Sequence, residues 1–403
     1  MAKIAFINIP AYGHTNPTLP VVRELVSNGH HVLYYSSNEF REIIESTGVD
    51  FRSYAPDVPL TKTISERMKS MVDASLTMME MSQSLTAWML QEMRREQPDL
   101  IIYDTTCMWG YIPARILNIP SICSITHFLL DGSQKHLPIG TMFNYILSVV
   151  PKLPHVIQWK RTMTNQFGKD VVGGITEYAD LNIVFTSSEF HPENKFVDER
   201  FQFVGPSIDE KTRQASDFKI THDGTTVYIS LGTINNLKHD FYRTVFDAFK
   251  EYPAKFILSV GQHTDIATLQ PIPDNFAVYP YVPQLQVLQQ VDVFITHGGM
   301  NSVHEGLYYG VPEIVVPQQI EQLLNGIRVE EVGAGILLGR KPPYGIVTVS
   351  ELQSALDSIL QDSSYREQAR LYGSTLKSAG GFPRAVEVIE AYLSESMMQL
   401  QPA

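Results

Sequence analysis

Short apolar runs of β character alternate with stretches of helical period along this chain, and the alternation begins twice. In the first half the β-type runs are Lys3 to Ile9, His31 to Ser36, Asp50 to Ala55, Leu100 to Tyr103 and Ser121 to Thr126. Between the first three, helical spacing runs from Pro17 to Asn28 and from Phe40 to Thr47, closed by Gly29 and Gly48, as helix ends prefer. The pattern restarts near residue 225, with strands at Thr226 to Leu231, Lys255 to Val260, Ala277 to Tyr279, Val291 to Thr296 and Glu313 to Val316. Strands that alternate with helices predict parallel sheets covered on both faces.

A chain of 403 residues is long for one domain and suited to two. The expected fold is α/β, two Rossmann-like domains facing one another, with mostly parallel sheets. The first domain spans 1–205, a polar irregular linker 206–223, and the second domain 224–380. A closing helix lies in 381–403, with two docking options, the second domain or the first. Two regions break the alternation: Thr61 to Gln97, helical and rich in Met (Met68, Met71, Met78, Met79, Met81, Met89, Met93), and His136 to Phe167, with aromatics among Pro and Gly. Met at helical spacing serves either as core filler or as the lining of an adaptable apolar pocket.

Composition removes several function classes. The formal net charge is -12 and no Lys/Arg run exceeds a pair, so no continuous basic surface awaits a nucleic acid. Cys107 and Cys123 sit in apolar stretches, which predicts buried free thiols rather than a disulfide framework or a metal site. The N-terminus lacks the pattern of a signal peptide, and no apolar run approaches the roughly 20 residues of a membrane helix. The expectation is a cytoplasmic monomer that does not engage a membrane.

The densest information lies in residues 291–317. A buried strand ends at Thr296, and His297, Gly298 and Gly299 turn the chain into a helix from Met300 to about Gly310, with Pro312 beyond it. Glycines at a helix N-terminus let an anion approach free N–H groups and the positive end of the dipole. Ser302 adds a hydroxyl in the first turn, and Glu305 follows one turn later as a candidate for ribose hydroxyls. In the first half, His14 follows the first strand and Asp104 ends the fourth, which places both at the sheet edge where ligands collect. An Asp that holds a His in one tautomer makes that His a general base. Asp99 precedes its strand and faces the opposite edge.

The string His297, Gly299, Asn301, Ser302, Glu305, Gly306 resembles the nucleotide-binding signature of the UDP-glycosyltransferase family, His-x-Gly-x-Asn-Ser-x-x-Glu-Gly. Neighbouring pieces agree with the resemblance: Tyr281-Val282-Pro283-Gln284, Ser230-Leu231-Gly232-Thr233, and Pro317 to Gln322 followed by Asn325. The likeness is nearest to bacterial macrolide- and flavonoid-type glucosyltransferases and implies the GT-B fold. It implies that His297, Asn301 and Ser302 meet the diphosphate, with further phosphate contacts at Ser230, Gly232 and Thr233. Glu305 then meets the ribose, Tyr281 stacks on uracil, Val282 bonds the uracil edge through its backbone, and Gln284 lies near the ribose. Glu321 and Gln322 fall where the family binds the donor sugar. Glu321 stands where the family usually has Asp, which opens the question of which sugar is preferred, with glucose as the default.

The resemblance also implies that His14 and Asp104 form the catalytic dyad of an inverting transfer. An unperturbed imidazole titrates near ~6.5 and is largely neutral at pH 7, so it serves as a base. His297 and the N-terminus of the following helix would offer positive potential to the leaving diphosphate. No Asp-x-Asp triplet and no cluster with metal-ligand spacing occurs, so no metal and no resident cofactor is expected, the UDP-sugar being a co-substrate. The expected acceptor is a small apolar or phenolic molecule such as a flavonoid or macrolide. Other classes carry other signatures. A nucleotide-sugar epimerase would show more acidic groups around the sugar, and a non-catalytic UDP-sugar binder would have no use for His14 with Asp104. A dinucleotide oxidoreductase would place G-x-G-x-x-G after the first strand, where this chain has none.

Overall fold

The apolar run at the N-terminus becomes strand β1 (Lys3–Ile7), and its side chains divide between two cores. Ile4 and Phe6 enter one core with Val22 and Leu25, while Ala5 and Ile7 enter the other with Leu85 and Met89. A strand buried on both faces belongs in the middle of a sheet covered by helices on each side. The computed structural model describes residues 1–55, 71–129, 147–174, 177–209, 218–220, 223–232, 239–342 and 344–399. It divides into two units, Met1–Ser207 with Ala379–Ala403, and Ile208–Ser378. Residues 210–217 and 221–222 of the linker segment, 61–70 of the Met-rich segment with Met68, and 136–146 of the aromatic segment lie outside the described residues.

In the first unit β1 is followed by α1 (Tyr12–Thr15), α2 (Thr18–Ser27), β2 (His31–Ser36), α3 (Arg41–Glu45), β3 (Asp50–Ser53) and α4 (Met71–Glu96). Then come β4 (Leu100–Asp104), α5 (Met108–Leu117), β5 (Ser121–Ile125), α6 (Leu153–Phe167), β6 (Leu181–Val184) and β7 (Phe201–Phe203). The 7-stranded sheet has the order β3-β2-β1-β4-β5-β6-β7, all parallel. Met78, Met81, Met89 and Met93 of α4 are buried in the second core, and Met79 packs with Met108, Trp159 and Met163. These methionines serve as core filler.

The second unit contains β8 (Thr226–Ser230), α7 (His239–Phe249), β9 (Lys255–Ser259), β10 (Phe276–Tyr279), α8 (Gln284–Leu288) and β11 (Val293–Thr296). It continues with α9 (Met300–Tyr308), β12 (Glu313–Val315), α10 (Ile320–Glu331), β13 (Gly335–Leu337), α11 (Val349–Gln361) and α12 (Ser364–Ser378). Its 6-stranded parallel sheet has the order β10-β9-β8-β11-β12-β13. Helix α7 shows why such segments fold as they do. Phe241, Tyr242, Val245, Phe246, Ala248 and Phe249 fall on one face and are all buried. Each large side chain so buried contributes about 1.5–3 kcal/mol.

The last helix, α13 (Gly381–Gln399), packs in the first unit, where Ala385, Val386, Ile389 and Leu393 join the core of α2. Asn28 Nδ2 donates to Glu390 Oε1 at 2.9 Å across that contact. The α/β fold with two parallel sheets therefore stands as the sequence suggests. Both sheets reverse their strand order once, at β1/β4 and at β8/β11. Loops leaving the carboxyl ends of such a strand pair diverge to opposite faces and open a crevice between them. The two switch points are where the candidate residues lie.

Candidate active site

At the first switch point, Ile7 of β1 pairs with Tyr103 of β4, so the chain leaves both strands side by side. After β1 it makes the single turn α1, which carries His14. Asp104 closes β4 and is 1% exposed. His14 Nδ1 lies 2.7 Å from Asp104 Oδ2. The other oxygen, Oδ1, accepts from the Thr106 N–H at 2.9 Å and its hydroxyl at 2.6 Å. Burial alone would raise the Asp104 pKa, but His14 and the Thr106 bonds outweigh it and hold the carboxyl below its ordinary value. An ionised carboxylate only accepts, so Nδ1 carries a proton, and in the neutral ring Nε2 is the lone-pair nitrogen.

Residues that no motif marks support this pair. Thr126 Oγ1, just past β5, lies 3.1 Å from His14 Nδ1. The fully buried Asn8 donates from Nδ2 to the His14 carbonyl at 3.2 Å and to the Tyr34 hydroxyl at 2.7 Å. Tyr34 meets Thr18 Oγ1 at 2.7 Å, and Thr18 donates to the Thr15 carbonyl at 2.8 Å. This network fixes the backbone that presents the imidazole. Asp99, at the opposite end of the strand, accepts from the Lys3 N–H at 2.7 Å and takes no part.

At the second switch point, Thr296 of β11 pairs with Ser230 of β8. Gly298 adopts φ +81°, a left-handed conformation that favours glycine, and Asn325 Nδ2 donates to its carbonyl at 2.9 Å. The His297 ring lies against Gly232 and Gly299: a Cβ at either would come within 2.7 Å and 2.5 Å of it. Ser230 Oγ accepts from the Gly232 N–H at 3.3 Å. Desolvation pulls the His297 pKa down to about 4, against a weaker opposing bond with the Ser230 backbone. The ring is therefore neutral at pH 7. With a neutral ring, His297 has a dipole to offer beside the positive end of the α9 dipole.

Helix α9 begins after Gly299, which has no side chain to cap it, and so leads with backbone N–H groups beside Asn301 and Ser302. One turn on, Glu305 is 4% exposed. Gln284 Nε2 donates to Glu305 Oε2 at 2.7 Å and lies 3.4 Å from Ser302 Oγ. The Tyr228 hydroxyl donates to Gln284 Oε1 at 3.1 Å. Nearby in sequence, Tyr281 is 68% exposed while Val282 is buried. Gln322 Oε1 accepts from the Gln318 N–H at 2.7 Å, and Glu321 is exposed in the first turn of α10. Thr233 lies outside the described residues.

The second unit thus gathers Ser230, Gly232, His297 and Gly299 in one cluster, and Gln284, Ser302 and Glu305 in another. Both cysteines are free and buried. Among the described residues no three His, Cys, Asp or Glu side chains gather to hold a metal ion, and no helix is long and apolar enough to cross a membrane.

Comparison with known proteins supplies relatives over the full length. Residues 243–391 match the family of the erythromycin biosynthesis protein CIII-like C-terminal domain. The chain is 35% identical to the NDP-glycosyltransferase YjiC of Bacillus subtilis, over 98% of each chain. It is 26% identical to the oleandomycin glycosyltransferase of Streptomyces antibioticus, over 100% of this chain and 93% of that one. Among solved structures, the glycotransferase of kitacinnamycin superposes with a TM-score of 0.80 at 26% identity, covering 97% of this chain and 99% of the other.

Proposed function

The chain belongs to the bacterial UDP-glycosyltransferase family, and from that premise we propose that it moves a sugar, by default glucose, from a UDP-sugar to a hydroxyl of a small apolar or phenolic acceptor, with inversion at the anomeric carbon. It is a glycosyltransferase of GT-B fold. The observation that carries the mechanistic reading is the His14–Asp104 pair, 2.7 Å apart with a buried carboxylate, at a sheet switch point. His14 Nε2 takes the proton of the acceptor hydroxyl as that oxygen attacks the anomeric carbon. The bond from that carbon to the diphosphate oxygen breaks, and UDP leaves with the electron pair. Asp104 keeps the imidazole in the required tautomer and stabilises its cation once the proton has moved.

In the second unit, the N-terminus of α9 with Asn301, Ser302 and the His297 dipole meets the diphosphate, so charge develops on the leaving oxygens against prearranged donors. Glu305 and Gln284 take the ribose, and Tyr281 offers an open ring face to uracil. Glu321 and Gln322 take the sugar. No metal is assigned a step. The relatives named for oleandomycin and kitacinnamycin support a natural-product acceptor, and macrolides and flavonoids are the first candidates.

The test incubates the purified protein with UDP-glucose and a panel of flavonoid and macrolide acceptors, with and without EDTA. A product heavier by one hexose, with β-configuration from the α-linked donor, supports the whole reading. An α-linked product would overturn inversion. Activity that EDTA removes would overturn metal independence, and product only from another nucleotide sugar would overturn UDP-glucose as donor.

A further inference from the structure

Tyr228 belongs to no motif, and its ring has an obvious structural use, stacked on Phe294 with centroids 4.9 Å apart and planes 8° from parallel. A phenylalanine would pack there as well. Yet the residue is 1% exposed on β8, and a buried hydroxyl is costly unless it is hydrogen-bonded. Its O–H donates to Gln284 Oε1 at 3.1 Å, and the nitrogen of the same amide donates to Glu305 Oε2 at 2.7 Å. The direction of both bonds follows from chemistry. A carboxylate only accepts, so the amide must turn its nitrogen to Glu305, which leaves its oxygen to be met by a donor. Burial raises the Tyr228 pKa, with the Ser230 and Ser259 hydroxyls acting the other way, so the phenol keeps the proton it donates.

We propose that Tyr228 is a positioning residue for the nucleotide ribose: its hydroxyl anchors the oxygen end of the Gln284 amide, and the nitrogen end of that amide holds one oxygen of the Glu305 carboxylate in place. The proposal rests on the reading of Glu305 as the ribose-binding carboxylate. Glu305 and the phenol hold the amide from its two ends; without the phenol its oxygen loses its donor, the amide keeps one anchor of two, and ribose binding would have to restore the order first. Binding energy lost in this way appears in donor affinity and not in the chemical step.

The test measures UDP binding by calorimetry for the wild type, Tyr228→Phe, Glu305→Ala and the double variant, with thermal melts of each. Tyr228→Phe is expected to weaken UDP binding about three- to tenfold, the worth of one ordinary hydrogen bond. The same rise is expected in the donor KM, with kcat unmoved. In the Glu305→Ala background the added Tyr228→Phe change should cost nothing, because the two act through one chain. A UDP analogue lacking both ribose hydroxyls should bind wild type and Tyr228→Phe alike, which a general loosening of β8 would not produce. Wild-type affinity in Tyr228→Phe overturns the proposal, as does an equal loss in the presence and absence of Glu305. If Glu305→Ala itself binds UDP normally, the ribose reading falls; if it binds weakly while Tyr228→Phe binds normally, the role of Tyr228 alone falls.

Discussion

His14 and Asp104, 90 residues apart in sequence, meet at 2.7 Å because β1 and β4 are neighbours at the point where the strand order of their sheet reverses. The Asp104 carboxylate is engaged on both oxygens, by His14 on one and Thr106 on the other, so its orientation is not adjustable. A base so held has a defined proton position before any acceptor arrives.

Replacing His14 with Ala should lower kcat for alcohol acceptors by about 10²–10⁴-fold, the usual worth of a positioned base. Asp104→Asn should give a loss of similar direction, because an amide no longer compels the proton onto Nδ1. Phenolic acceptors, which ionise near ~10 by analogy with Tyr, should suffer less than alcohols in both variants. Steady-state kinetics on one phenol and one alcohol, with UDP affinity measured beside them, check this. Equal losses on both acceptors, or a fall in UDP affinity to match, would remove His14 from the proton transfer.

Glycine positions give a second, contrasting pair. Gly299 has φ -62°, open to any residue, but an added Cβ would lie 2.5 Å from His297 Nε2. Gly299→Ala should therefore displace the His297 ring and weaken UDP binding while the fold persists. At Gly13 a Cβ meets nothing within 4 Å, so Gly13→Ala should leave UDP binding unchanged. Calorimetric titration of both variants decides the matter, and normal UDP affinity in Gly299→Ala would separate His297 from the diphosphate.

Most strands are legible because β-branched and aromatic residues in short apolar runs have few other uses. β6, β7 and β13 are not, and length is not the reason, since β12 is equally short; they lie at the ends of their sheets, where a neighbouring strand offers a ladder. The same divide runs through the candidate site. His14, Asp104 and Glu305 stand out as polar groups at strand ends or beside glycines. Asn8, Thr126 and Tyr228 look like ordinary members of apolar segments, and only register and packing show what their polar atoms reach. The neutrality of His297 has the same origin, since desolvation is a property of the packed chain.

Tyr281, 68% exposed, should act as a stacking surface whose value depends on ring area. Tyr281→Ala should weaken UDP binding by about 1–3 kcal/mol, as for other base–aromatic stacks, and Tyr281→Trp should hold or improve it. A control ligand without a base, such as pyrophosphate, should bind all three forms equally. If Tyr281→Ala leaves UDP affinity intact, uracil does not rest on this ring.

The last prediction concerns Glu313, which is fully buried on β12, with neither carboxyl oxygen hydrogen-bonded among the described residues. It occupies the space over Gly306, where a Cβ would collide with Oε1, so that glycine of α9 has a packing reason as well. Desolvation raises the Glu313 pKa well above its ordinary 4.5, because burial penalises the charged carboxylate. In the unfolded chain the same group ionises near ~4.3. Between those two values the folded state binds more protons than the unfolded one, so stability falls as pH rises. The contribution is fully present below the unfolded pKa and is lost on the way up to the folded one. Glu313→Gln should remove this slope, and Glu313→Met should also remove the unbonded oxygens, with a gain of about 1–3 kcal/mol at neutral pH. Urea unfolding of the three proteins at a series of pH values upward from about 5 should show the advantage of both variants growing with pH above the unfolded carboxyl value. Parallel curves across that range would mean that Glu313 is ionised in the folded protein and has a partner there.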